Sequence, residues 1–190
     1  MGLLNDNELA DFNEFLMKKY GTSPDGSHNS KLEAITTFNK NILLSAGAGC
    51  GKTTTLSLRV LYGILVKDLS VSDMLILTFT NNAAREMKDR IKDDLKEFAT
   101  KKEKYPFINE EASKKLLDEA EKVDSAQIST FDSFSNAIVR KYADRLGVSP
   151  TFTILDQTVN DYMFYKAEDE KINEEFNNPN SKIRSFFDRD

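Results

Sequence analysis

Apolar residues recur along this chain at two alternating spacings. Leu9, Phe12, Leu16 and Tyr20 repeat at intervals of three and four, which predicts an amphipathic helix over residues 3–20. Asn5 and Glu8 form a capping-box pair at its start. Gly21 to Asn29, with Pro24, Gly26 and two serines, reads as a loop. A second capping box, Ser30 with Glu33, opens a short helix that turns Leu32, Ile35 and Phe38 inward. Ile42-Leu43-Leu44 reads as a buried strand. The helix after it carries Leu56, Val60 and Ile64 and ends before Asp68.

Met74 to Phe79 predicts another buried strand. The next helix has Ala84, Met87, Ile91, Leu95 and Phe98 on one face. Lys101 to Pro106 is a charged break, read as a solvated loop. Residues 109–122 predict a polar helix anchored by Leu116, Leu117 and Ala120. Ala126 to Thr130 predicts a short strand. Phe134, Ile138, Tyr142 and Leu146 mark a helix stopped by Gly147 and Pro150. Phe152 to Leu155 is extended, and Asp156 caps a helix through Val159, Met163 and Ala167. After Asn177 to Asn180 comes a short segment, Ile183 to Phe187. Strands alternating with helices predict an α/β domain with a parallel sheet. Three or four strands are few for such a sheet, so it reads as incomplete, with a helical C-terminal segment.

The junction between the first strand and its helix carries the chemistry. Ala46-Gly47-Ala48-Gly49-Cys50-Gly51-Lys52-Thr53 fits the phosphate-loop pattern G-x-x-x-x-G-K-[ST], with Ala46 in the first glycine slot. Glycines let successive N–H groups converge on an anion, and the helix start adds its positive dipole end. Lys52 reaches the outer phosphates as a point charge, and the Thr53 hydroxyl suits Mg²⁺. The competing reading is a small-residue turn without a ligand. Cys50 inside the loop reads as a tolerated small residue.

Composition narrows the class. The chain has 190 residues, 39% hydrophobic and 30% charged, enough for one domain with a core. No run of about 18 apolar residues occurs, so no membrane partner is expected. No signal-peptide pattern opens the chain, and the expected compartment is cytoplasmic. One cysteine excludes an intrachain disulfide, and one histidine, His28, in a polar loop leaves no Cys/His metal set. A net charge of −5 argues against a surface that grips nucleic acid everywhere, while leaving room for a local strip that does.

Three segments in fixed order resemble the superfamily 1 helicases of the UvrD/Rep type. They are Ser45 to Thr54 with Arg59 further along; Ile76-Leu-Thr-Phe-Thr-Asn-Asn-Ala-Ala-Arg-Glu-Met-Lys-Asp-Arg-Ile91; and Gln127-Ile-Ser-Thr-Phe-Asp-Ser-Phe134. Pro150-Thr-Phe-Thr-Ile-Leu-Asp156 is similar to the helicase–nuclease branch of AddA and RecB type. The resemblance covers roughly residues 30–160. It implies a RecA-like, ATP- and Mg²⁺-dependent motor on single-stranded DNA, serving repair or recombination. It divides the chain into an N-terminal helix and loop (1–29), a partial RecA-like ATP-binding domain (30–155) and the start of a helical 1B-like insertion (156–190). Residues Ala46 to Thr54 would hold ATP, with Lys52 catalytic and Thr53 on the metal; Arg59 would lie near base and ribose. Phe79, Thr80, Asn81, Thr130, Ser133 and Phe134 would face DNA. Implied partners are the remaining helicase domains of a longer parent chain and a nuclease partner. Core packing is the alternative for Phe79 and Phe134, and helix capping for Thr80 and Asn81.

The chain departs from the family at several points. Where the family has an adenine-reading glutamine, this chain has Lys31 in Lys31-Leu-Glu-Ala-Ile35. Lysine donates but cannot accept, which puts base selectivity in question. Asp132 stands where histidine is common; it is expected to face backbone amides. The acidic pair that holds Mg²⁺ and orients attacking water has no counterpart, since Asp156 is followed by Gln157. The phosphate-stabilising arginines belong to a second motor domain. The 190 residues alone are thus expected to bind nucleotide weakly and hydrolyse little. A small-molecule P-loop kinase and a non-enzymatic nucleotide- or DNA-binding module remain alternatives.

Overall fold

The computed structural model describes residues 2–20, 30–45, 47, 49–178 and 181. The expected loop from Gly21 to Asn29, Ala46, Ala48 and the segment Ile183 to Phe187 lie outside the described residues. Two compact units emerge, residues 1–138 and 139–190.

The first unit opens with α1 (Asp6–Tyr20). The Asn5 backbone N–H donates to Glu8 Oε2 at 2.9 Å and the Glu8 N–H to Asn5 Oδ1 at 3.0 Å, closing the expected capping box. The helix buries Phe12 and Leu16 completely. Phe12 stacks on Tyr62 and Phe107 at centroid distances of 5.9 and 5.1 Å. α2 (Ser30–Thr36) buries Ala34 and Ile35. α3 (Lys52–Lys67) is the central helix, with Leu58, Val60, Leu61, Ile64 and Leu65 in the core. Gly63 lets two side chains approach it: a Cβ there would stand 3.0 Å from Met74 Cε and 3.4 Å from the Phe38 ring. The helix ends as expected at Asp68, which takes a left-handed conformation (φ 54°).

β1 (Leu75–Thr78) and β2 (Gln127–Thr130) pair in parallel, with Leu75 opposite Gln127 and Thr78 opposite Thr130. A parallel pair needs a long crossover. α4 (Asn81–Thr100) and α5 (Glu110–Lys122) supply it. α4 buries Ala84, Ile91, Leu95 and Phe98 as its periodicity requires. α5 is held by Ala112, Leu116, Glu119 and Ala120, whereas Leu117, an expected anchor, is 39% exposed. The stripe runs 112, 116, 119/120, and Leu117 falls beside it.

The charged break differs from a plain solvated loop. Lys101, Lys102 and Lys104 are exposed and paired with Glu97 or Glu110, yet Tyr105, Phe107 and Ile108 between and after them are buried. Tyr105 stacks on Phe98 with centroids 3.9 Å apart.

The expected strand Ile42-Leu43-Leu44 is not one. The sheet has two strands among the described residues, and Leu43 is 95% exposed. An apolar run becomes a buried strand only beside a hydrogen-bonding edge and under a covering layer, and this segment has neither. The fold is therefore α/β, mostly helical, with a small parallel sheet rather than the three or four strands expected.

α6 (Phe131–Lys141) leaves β2 and reaches into the second unit. There α7 (Ala143–Leu146) follows a break at Tyr142 and ends on Gly147 with φ 65°. Ile138, Tyr142 and Leu146 are exposed, so the single helix expected here is two, and that stripe seals no core. Arg140 holds the return of the chain, donating to the carbonyls of Pro150 and Phe152. Phe152 to Leu155 forms no strand. α8 (Gln157–Asn177) starts on Asp156, whose carboxylate accepts from the Thr158 N–H at 2.8 Å.

Candidate functional site

The glycine loop enters α3 through two left-handed residues, Gly49 (φ 75°) and Gly51 (φ 79°). A side chain at either position would be strained, which explains glycine at both. Gly51 is the N-cap and brings no side chain to the helix start. The first intrahelical bond runs from Thr55 N to Gly51 O at 2.9 Å. The N–H groups of Lys52, Thr53 and Thr54 precede it and point out of the helix end. Lys52 bends back across the loop, its Nζ donating to the Gly47 carbonyl at 3.1 Å. Cys50 N donates to the same carbonyl at 3.4 Å. Cys50, Lys52 and Thr53 are exposed. This donor set, with a hydroxyl at the second helical position, fits a phosphate chain and a hard divalent cation. Ala46 and Ala48 lie outside the described residues.

Thr54 is tied to the neighbouring helix. Its hydroxyl accepts from Arg90 Nη2 at 2.9 Å, and Arg90 Nε lies 3.7 Å from Asp94. Asp94 in turn accepts from the buried Ser57 hydroxyl at 2.6 Å. This relay clamps the start of α3 to α4.

Arg59 serves as a clasp. Its Nη1 donates to the carbonyls of Ala34 and Thr37, both at 2.6 Å, and its guanidinium lies 4.2 Å from the Phe38 ring centroid. It thereby satisfies the C-terminal end of α2. Burial pulls its pKa down from the ordinary arginine value. Beside it lies a hollow of about 370 Å³, lined among others by Ile42, Leu44, Lys52, Thr55, Leu56 and Arg59.

A second feature stands at the carboxyl ends of the two strands. Because Thr78 faces Thr130 across the ladder, the residues that follow emerge side by side. They are Phe79 and Phe131, 91% and 51% exposed, with ring centroids 5.8 Å apart. The Thr80 hydroxyl caps α4 by accepting from Ala83 N at 3.1 Å. Thr130 does the same for α6, accepting from Ser133 N at 3.1 Å and donating to Ser133 Oγ at 2.9 Å. Thr130 is buried, so it positions Ser133, while Asn81 and Ser133 are exposed. Phe134 is half-buried. Asp132 is exposed in the first turn of α6, where the helix dipole favours a carboxylate.

Phe131 and Arg90 are not among the residues expected from the sequence. Phe131 had a signal: the dipeptide Thr-Phe closes both strands, at Thr78-Phe79 and at Thr130-Phe131. Arg90 had none, being one of several charges along α4.

A family model described as the UvrD/REP helicase N-terminal domain matches residues 27–189. Among curated proteins, the AddA-type chain of the ATP-dependent helicase/nuclease of Lactobacillus johnsonii is 38% identical over 157 residues, 82% of this chain and 12% of the relative. The protein of the same name from Lactobacillus acidophilus is 40% identical over the same shares. That from Bacillus cytotoxicus is 30% identical over 165 residues, 85% of this chain and 13% of the relative. The chain thus spans about an eighth of the length of these relatives.

Proposed function

Since this chain belongs to the UvrD/REP helicase N-terminal domain family, we propose that it is the ATP-binding portion of an ATP-dependent DNA helicase, of the AddA helicase–nuclease kind, that moves along single-stranded DNA in repair or recombination. The observation that carries this reading is the loop itself. Two left-handed glycines precede a 16-residue helix, and Lys52 is folded over the mouth they form. In this role Lys52 exchanges its bond to Gly47 for the outer phosphates. The outward N–H groups of α3 hold the inner ones, and Thr53 offers its hydroxyl to Mg²⁺. Arg59 keeps α2 against α3 and so fixes the wall of the hollow where the nucleoside rests. When bound, ATP and Mg²⁺ supply a cleavable phosphoanhydride and charge neutralisation.

The strand-end face takes the DNA. Phe79 and Phe131 offer two adjacent rings on which bases of any sequence stack, and Asn81, Ser133 and the helix starts contact phosphate. The clamp from Arg90 to Thr54 ties the helix that begins at this face to the helix that begins at the nucleotide loop.

The Asp156 carboxylate is committed to capping α8, which favours nucleotide binding without turnover by the 190 residues alone. The remaining helicase domains of the parent chain then supply the acidic pair and the phosphate-stabilising arginines, and a nuclease partner completes the assembly. The test is ATP hydrolysis by the full-length protein with and without single-stranded oligonucleotide. DNA-stimulated turnover abolished by Lys52→Ala is expected; turnover indifferent to DNA contradicts the motor reading.

A further inference from the structure

Lys31 lies in the first turn of α2 and reaches the nucleotide loop. Its Nζ stands 3.9 Å from the point a Cβ on Gly51 would occupy. Gly51 is the last residue before Lys52, so two ammonium groups flank the entry to α3. α2 itself is held in place by Arg59 on the carbonyls of Ala34 and Thr37, which fixes the root of Lys31 relative to the loop. An ammonium is a compact cation with three donors and no acceptor. It cannot read the paired donor and acceptor edge of a purine, but it suits a phosphate oxygen.

We infer that Lys31 is a second phosphate-binding cation of this loop, so that the chain recognises its nucleotide through the triphosphate and tolerates either purine. This rests on the nucleotide-binding reading above and names what that site selects. Lys52 approaches the phosphates from α3 and Lys31 from α2, on the side of Gly51. The base then contributes shape and apolar contact in the hollow beside Arg59, without a hydrogen-bonding partner that distinguishes adenine from guanine.

The test uses the 190-residue chain with a fluorescent ATP analogue and Mg²⁺, displaced in turn by ATP, GTP and inorganic tripolyphosphate. Wild type, Lys31→Gln, Lys31→Arg and Lys52→Ala are compared at two salt concentrations. In wild type, ATP and GTP are expected to displace the probe equally. Lys31→Gln, which keeps the length and removes the charge, is expected to weaken all three competitors by the same factor, about three- to tenfold, as for one partly exposed charge-assisted bond. It also flattens the salt dependence, and Lys31→Arg restores both affinity and salt dependence. A Lys31→Gln chain that matches wild type overturns the inference. So does one that weakens ATP while leaving tripolyphosphate unchanged, because Lys31 would then contact the nucleoside. If Lys52→Ala abolishes binding while Lys31→Gln does not alter it, only the role of Lys31 falls. If wild type binds no probe, the nucleotide-binding reading falls with it.

Discussion

Glu119 shows how much one residue decides here. It is fully buried on α5, where sequence favours a solvated acid, and it accepts from Ser70 Oγ at 2.7 Å, Val71 N at 2.8 Å and Lys122 Nζ at 2.8 Å. Burial pushes its pKa up, but the bonds from Lys122, Ser70 and Val71 outweigh that and hold it below the usual carboxylate value. Glu119→Ala would leave buried donors of Ser70 and Val71 without an acceptor, at a cost of about 2–4 kcal/mol. Urea unfolding should show a lower midpoint with an unchanged slope, and Glu119→Gln, which keeps one acceptor, a smaller loss. At the strand-end face, Phe79→Ala and Phe131→Ala should each weaken binding of an oligothymidine by roughly 1–3 kcal/mol, the worth of one stacked base. Fluorescence anisotropy would measure it, with Phe134→Ala as the control that lowers stability more than DNA affinity.

At the scale of elements, the clasp between α2 and α3 hangs on Arg59. Lysine cannot span two carbonyls and lie over the Phe38 ring, so Arg59→Lys should destabilise the chain by about 1–3 kcal/mol. Native-state hydrogen exchange should show α2 opening before the rest; global unfolding without early exposure of α2 would contradict the clasp. The long helices were legible because their burial is periodic: Phe12 and Leu16 in α1, and Ile91, Leu95 and Phe98 in α4, all fell where spacing put them. The break at Lys101 to Ile108 was not. Its lysines dominate the pattern, while Tyr105, Phe107 and Ile108 turn inward without helical spacing. Leu117 and Glu119 were misjudged for the same reason: hydrophobicity marked the face, but a buried carboxylate with three donors took one of its places. In the site, the glycines and Lys52 were readable from the motif. The burial of Thr130 and the pairing of Phe79 with Phe131 depend on strand register, which no local pattern fixes.

At the scale of the whole molecule, stability should fall in acid in a defined window. Glu97 accepts from Lys104 at 2.6 Å, Tyr105 at 3.0 Å and Lys101 at 3.3 Å, which lowers its pKa from 4.5 to about 2. Glu119 is lowered as well. A carboxylate with a depressed folded pKa stabilises fully above its unfolded value and loses that contribution as pH falls through the folded one. Chemical denaturation should therefore show declining stability from about pH 5 to 2, with a shallower decline in Glu97→Gln. The α/β class was legible in the alternation of elements. The size of the sheet was not, because Ile42-Leu43-Leu44 is apolar enough for a strand and only a pairing edge could make it one. The most direct test of the central claim is equilibrium titration of the 190-residue chain with a fluorescent ATP analogue in Mg²⁺, beside Lys52→Ala. Saturable binding weakened at least about tenfold by the substitution is the expected result, as for loss of a charge-assisted phosphate contact. Binding that ignores Lys52→Ala would show that the glycine loop is not the nucleotide site.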